Sequence, residues 1–144
     1  MTTADYSFLP HTTDAYVEAT GASLEGALES AGKALFDTLC EVETIRTKLT
    51  DRIAVEGHDE VELAYNWLEA LLLKFELTQR VYSRFKIIKI SRTTTGFNAI
   101  AEAFGEPYDR KRHGAKVEVK AVTYHRMEIV RHQNRTFLRF ILDL

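Results

Sequence analysis

The chain of 144 residues predicts an α+β fold: one domain, 1–144, with two helices packed against a large, mostly antiparallel β-sheet. Three observations support this. Two stretches repeat apolar residues at helical spacing, several others are rich in β-branched and aromatic residues with period-two alternation, and no linker divides them. The order runs strand, helix, hairpin, helix, hairpin and further strands, which hints at a duplicated strand–helix–hairpin unit.

The first strand is read at DAYVEATG, closed by Gly21. SLEGALESAGKALFDTLC follows as a helix, with Leu24, Leu28, Ala31, Leu35 and Leu39 on one face, Ser23 as cap and Glu25 at the positive end of the dipole. Gly26 and Gly32 weaken it by roughly 1 kcal/mol each relative to Ala, so tertiary packing must hold it. VETIRTKLT and RIAVEG read as a hairpin of two strands. Asp59, with Glu62 three residues on, opens a second helix. Its apolar residues from Val61 to Phe75 cover so much of the circumference that this helix is expected at the centre of the core. RFKIIKISR and GFNAIAEAFG flank a turn at TTTG, EPYDRKRHG is a loop, and KVEVKAVTYHRMEIVRH, bent near Tyr124 and His125, joins RTFLRFILDL through QNR.

Composition narrows the classes. A net charge of −2 exerts no global pull on nucleic acid, so any RNA contact would need a local patch or a partner. The single cysteine, Cys40, cannot form an internal disulfide, and its place at the end of an apolar helical face predicts a structural role in a reducing, cytoplasmic setting. No stretch reaches the ~18 apolar residues of a membrane span, and MTTADYSFLP lacks the basic and apolar regions of an export signal.

The last strand carries the most informative chemistry. Alternation sets Leu138, Phe140, Leu142 and Leu144 on one face, and Phe137, Arg139, Ile141 and Asp143 on the other. Leu144 would then anchor in the core and hold the α-carboxylate beside Asp143. Two carboxylates about 4 Å apart repel by ~1 kcal/mol in water and ~4 kcal/mol at an intermediate dielectric. A solvated, fraying end would relieve this, as would an ion pair from Asp143 to Arg139, or a hard cation. A second acidic position lies near the start, where His11, Thr12 and Thr13 precede Asp14. Alone that run reads as a turn or cap. RKRH, Arg110 to His113, carries three formal positive charges and reads first as a solvated loop, alternatively as a contact for RNA or an acidic surface.

Taken together, the stretches resemble the archease family. The matching residues are His11-Thr12-Thr13-Asp14, Gly105-Glu106-Pro107 with Tyr108-Asp109 and His113, Glu118 to His125 (EVKAVTYH), and the closing Asp143-Leu144. Trp67, Leu68, Leu71 and Leu72 match the core of the family's second helix, and Thr13 departs from it, standing where Ala is more usual. The resemblance implies a non-enzymatic accessory of the GTP-dependent tRNA-splicing RNA ligase. It would promote guanylylation of the ligase and multiple turnover, and meet tRNA halves only through the ligase. It also implies a metal site on Asp14, Asp143 and the terminal carboxylate of Leu144. Three oxygen donors favour a hard divalent cation, calcium foremost and magnesium or manganese as alternatives, over zinc. They leave part of its shell to water, a partner's acidic group or a phosphate. His11, Lys120 and His125 are expected to touch the partner or phosphate; their structural reading is a packed or sheet-borne side chain. The rival functions are a general chaperone or modulator of nucleic-acid-processing proteins, and a metal-dependent phosphoesterase. For the latter His11 is the sole nearby base, which falls short of a hydrolase motif.

Overall fold

The computed structural model describes residues 5–9 and 14–144. Its seven strands are β1 (Asp5–Leu9), β2 (Ala15–Gly21), β3 (Leu49–Gly57), β4 (Arg80–Arg92), β5 (Phe97–Pro107), β6 (Ala121–His132) and β7 (Arg135–Asp143). The helices are α1 (Leu24–Leu39), α2 (Glu60–Thr78) and the short turn α3 (Arg110–His113). The α+β class stands, with every strand pair antiparallel. The strands divide, however, into two sheets, ordered β1-β2-β7-β6 and β3-β5-β4, rather than forming one. The helices lie between them: α1 packs on β2 and on β4, and α2 on β3 and on β6.

Both strand-to-helix connections use the same local device. Gly21 ends β2 and Ser23, two residues on, caps α1 by accepting from Gly26 N–H at 3.2 Å. Gly57 ends β3 and Asp59, two residues on, caps α2 by accepting from Glu62 N–H at 2.8 Å. A Cβ on either glycine would lie 2.4 Å from the first-turn backbone of the helix that follows. Only glycine lets the strand end run that close to the helix start. Of the expected strand–helix–hairpin duplication, the strand–Gly–x–cap–helix part is used twice.

The hairpin expected after the first helix is absent. Val42–Thr44 forms a single 3-10 turn, and only Leu49–Gly57 is a strand. Val42 and Ile45 are instead buried in the core, so their β-branched character serves packing rather than pairing. The central helix is also the first rather than the second. Twelve of the sixteen residues of α1 are buried, whereas α2 leaves Leu73 and Leu77 open to solvent. The small residues of α1 permit this enclosure: a Cβ on Gly32 would meet Leu71 of α2 and the Phe85 ring of β4 at 3.2 Å. Trp67 of α2 donates from Nε1 to the Leu28 carbonyl at 2.8 Å, which ties the two helices together inside the core. Burying side chains such as Trp67, Leu68 and Phe140 contributes roughly 2–3 kcal/mol each relative to exposure. Cys40 is buried as expected, and burial pushes its thiol up to about 11, which makes it inert. Among the described residues no helix is long and apolar enough to cross a membrane.

Candidate functional site

The site lies at one end of the four-stranded sheet and is built on its central pair. β2 and β7 are antiparallel with Ala15 opposite Leu142, Val17 opposite Phe140 and Ala19 opposite Leu138. Asp14 directly precedes Ala15 and Asp143 directly follows Leu142, so the two aspartates flank the same cross-strand pair although they are 129 positions apart in the sequence. The alternation read from the sequence holds for the core face, while Ile141, set on the opposite face, is buried as well. Leu138, Phe140 and Leu142 are buried, and Leu144, half-buried, packs against the same core. Asp143 is exposed on the outer face.

The third strand at this corner is β6. Ala121 pairs with Asp143 and Val122 with Leu142, and the Lys120 N–H donates to the Asp143 carbonyl at 2.7 Å. Lys120 therefore stands beside the chain end and fastens it through its main chain. Arg139, the simplest partner for Asp143, is engaged elsewhere: its Nε donates to Glu18 at 2.7 Å and its Nη1 lies 3.6 Å from Glu128. Among the described residues no three His, Cys, Asp or Glu side chains gather at metal-binding spacing. The expected set differs in kind, being two aspartates and a main-chain carboxylate. An all-oxygen set with two carboxylate side chains at an open strand end has the chemistry a hard cation requires.

The structure separates the remaining expected residues. His11, with Thr12 and Thr13, lies outside the described residues. His125 stands in an irregular stretch of β6, exposed, between the pairs Thr123–Ile141 and Glu128–Arg139. Here β6 takes five steps where β7 takes two, and Arg126 adopts φ 62°. The bend foreseen at Tyr124–His125 is this bulge. It carries Arg126, which sequence reasoning missed, across the outer face to lie 5.3 Å from the Tyr16 ring centroid. Tyr16 is two residues from Asp14 on the same face. No sequence signal marks Arg126, because its position depends on the register jump alone.

The loop expected at EPYDRKRHG is more structured than its charges suggest, with His113 buried and Arg112 half-buried. The Glu106 carboxylate, 2 % exposed, accepts three bonds at Oε2: from Arg46 N–H at 2.8 Å, His113 Nε2 at 2.8 Å and Arg112 Nη2 at 2.6 Å. Burial alone would raise the Glu106 carboxyl, but those donors outweigh it and hold it at about 2. The Asp109 N–H donates to His113 Nδ1 at 2.9 Å, so the ring proton is assigned to Nε2, pointing at Glu106. The His113 carbonyl then accepts from Glu41 N–H at 2.9 Å, and Lys116 is held by Leu39 O and by the Asp37 and Glu41 carboxylates. The segment from Glu106 to Lys120 is thus strapped to the end of α1 and delivers Lys120 to the chain end.

Comparison with known proteins agrees with the fold. The model of the Archease protein family (MTH1598/TM1083) matches residues 6–144. A protein archease of Methanopyrus kandleri is 35 % identical over 94 % of this chain and 96 % of its own length. One of Pyrococcus abyssi is 40 % identical over 83 % of each chain. The solution structure of protein 1598 of Methanobacterium thermoautotrophicum superposes with a TM-score of 0.85 at 33 % identity, covering 96 % of this chain and 98 % of that one. A Thermotoga maritima crystal structure, described as an archease and possible chaperone, shares the fold at a TM-score of 0.60 and 17 % identity, with 94 % of each chain covered.

Proposed function

This chain belongs to the archease family, and we propose that it acts as a non-catalytic accessory of the GTP-dependent tRNA-splicing RNA ligase through a metal-binding corner formed by Asp14, Asp143 and the α-carboxylate of Leu144. The observation that carries this reading is the Ala15–Leu142 pairing, which sets both aspartates at one end of the central strand pair. The packed Leu144 side chain and the Lys120 N–H bond to the Asp143 carbonyl keep that end from fraying. A held pair of like charges costs free energy that a divalent cation reverses.

A calcium, magnesium or manganese ion bound there would supply a Lewis-acidic point for phosphate oxygens. Three protein groups leave that ion coordination positions for a partner's carboxylate or a nucleotide phosphate. The chain's own residues hold it: Asp14 and Asp143 as side-chain donors, Leu144 through its main chain. Lys120, exposed beside them, offers a cation to the same phosphate or to the ligase, and His125 on the bulge is a further contact. In this reading the corner reaches the ligase's nucleotide pocket and favours guanylylation, and tRNA halves are met only through the ligase.

The test is a ligation assay at substrate excess over the cognate ligase, with wild type, Asp14→Ala, and a chain carrying two extra residues after Leu144. Wild type is expected to raise the number of turnovers, and both variants to lose most of that rise. An extended chain that stimulates as well as wild type would remove the terminal carboxylate from the account.

A further inference from the structure

The three-stranded sheet turns one face to the helices and leaves the other open. Ala99, Ala101, Ala103, Ile53, Phe85 and Ile87 are buried on the inner face. The outer face is ordered by register in four rows. Phe104 of β5 lies between Thr50 and Arg84, and Glu102 between Arg52 and Lys86. Ile100 lies between Ala54 and Lys89, and Asn98 between Glu56 and Ser91. This face therefore carries four cations against two carboxylates on a chain whose net charge is −2. Arg52, Arg84, Lys86 and Lys89 are all exposed, and none has a carboxylate within ion-pair distance among the described residues.

Two features suit flat, partly apolar groups. At one end the Arg84 guanidinium lies over the Phe104 ring, 4.5 Å from its centroid, a planar cation on an aromatic floor. Toward the other end is a shallow hollow of about 360 Å³, where Ile100 and Ala54 form an apolar floor, Asn98 and Ser91 offer an amide and a hydroxyl, and the Glu56 side chain also lines the space. The two positions are four residues apart on β5, ~13 Å at the usual strand rise, with Lys86 and Lys89 alongside on β4.

We propose that the outer face of the β3-β5-β4 sheet binds a single-stranded polynucleotide, with bases on the Arg84–Phe104 stack and in the Ile100 hollow, and phosphates along Arg84, Lys86 and Lys89. Charge alone would equally suit an acidic polypeptide. The stacked pair and the apolar hollow with its hydrogen-bonding rim favour bases, since each base has a π-face and a polar edge while an acidic peptide uses neither. This surface is formed by a different sheet from the carboxylate corner and does not depend on the function proposed for that corner.

The test uses the full chain and a fluorescein-labelled 12-residue oligouridylate, read by anisotropy across a salt series. Three phosphate contacts predict a slope of log K against log salt of about −2, from the single-strand coefficient of about −0.7 per contact. The combined variant Arg84→Gln, Lys86→Gln and Lys89→Gln, all exposed positions, is expected to bind at least tenfold more weakly with the slope largely gone. Phe104→Leu keeps the apolar bulk and removes the π-face, so it should weaken binding severalfold at an unchanged slope. Wild-type binding no tighter than that of the triple variant overturns the proposal, as does equal affinity for a duplex of the same length. Binding of polyglutamate as tight as that of the oligonucleotide, with no effect of Phe104→Leu, overturns it in favour of a protein partner.

Discussion

At the scale of single residues, Glu106 shows how a buried charge is made tolerable. Its Oε2 accepts from a backbone amide, a guanidinium and an imidazole, and removing it would strand all three donors. Breaking a buried pair from one side costs roughly 3–5 kcal/mol, and the partial exposure of Arg112 places Glu106→Ala near the low end of that range. The same contacts set a pH dependence. The folded Glu106 carboxyl, at about 2, lies below its unfolded value of 4.5, so the folded state holds fewer protons in that interval. Its contribution is complete above about pH 4.5 and is lost as pH falls toward 2. Asp37 and Asp51 act in the same direction. Burial would raise both, but hydrogen bonds from Tyr6 and Lys116 to Asp37, and from Tyr82 and Arg80 to Asp51, bring them below the usual range. Denaturant unfolding at a series of pH values should show stability falling on acidification, and Glu106→Gln should be less stable near neutrality with a shallower acid limb. An acid limb identical to that of wild type would contradict the assignment. Beyond a motif this cluster was not legible in the sequence, because Arg46, 60 positions from Glu106, reaches it only in the fold.

At the scale of elements, the strand–Gly–x–cap–helix unit makes a comparison among glycines informative. Gly32→Ala adds helix propensity of about 1 kcal/mol and presses a methyl group against Leu71 and Phe85, side chains that can yield a few tenths of an ångström. Gly57→Ala instead drives a methyl group into the backbone of Leu63, which cannot yield without moving the start of α2. Thermal melts should therefore place Gly32→Ala within about 1 kcal/mol of wild type and Gly57→Ala lower by on the order of 2 kcal/mol or more. Equal melting temperatures for the two variants would contradict the close-approach argument. Most elements were legible from periodicity and caps: α1, α2, β2, β5 and β7 fall within one or two residues of where the pattern sets them. Strand β1 was not read at all, β4 begins four residues earlier and β6 five residues later than the pattern sets them, and two further failures share a cause. Val42 and Ile45 have strand-like side chains but are spent on the core, and the wide apolar surface of α2 did not reveal that the small-residue helix α1 is the more enclosed. Propensity describes a side chain's preferences, while the partner that buries it is a tertiary fact.

At the scale of the whole molecule, the fold brings Asp14 and Asp143 to the same end of the adjacent strands β2 and β7, with β6 completing the corner from the third side. That convergence was only half legible. Alternation along the last strand foretold which face Leu144 and Asp143 would take, but register between strands more than 100 positions apart leaves no local trace, and only the family resemblance linked Asp14 to Asp143. The corner's neighbours follow from the same topology: Lys120 arrives because the Glu106–His113 cluster and Lys116 strap its segment to α1, and Arg126 because β6 bulges. The central claim is that two aspartates and the last carboxylate act together on one hard cation. Calorimetric titration of the metal-free protein with calcium tests it most directly, comparing wild type, Asp143→Asn and the chain extended by two residues. The account predicts one site in wild type and at least a tenfold loss of affinity in both variants. Calcium binding that is unchanged in the extended chain, or absent from wild type at millimolar calcium, would contradict it.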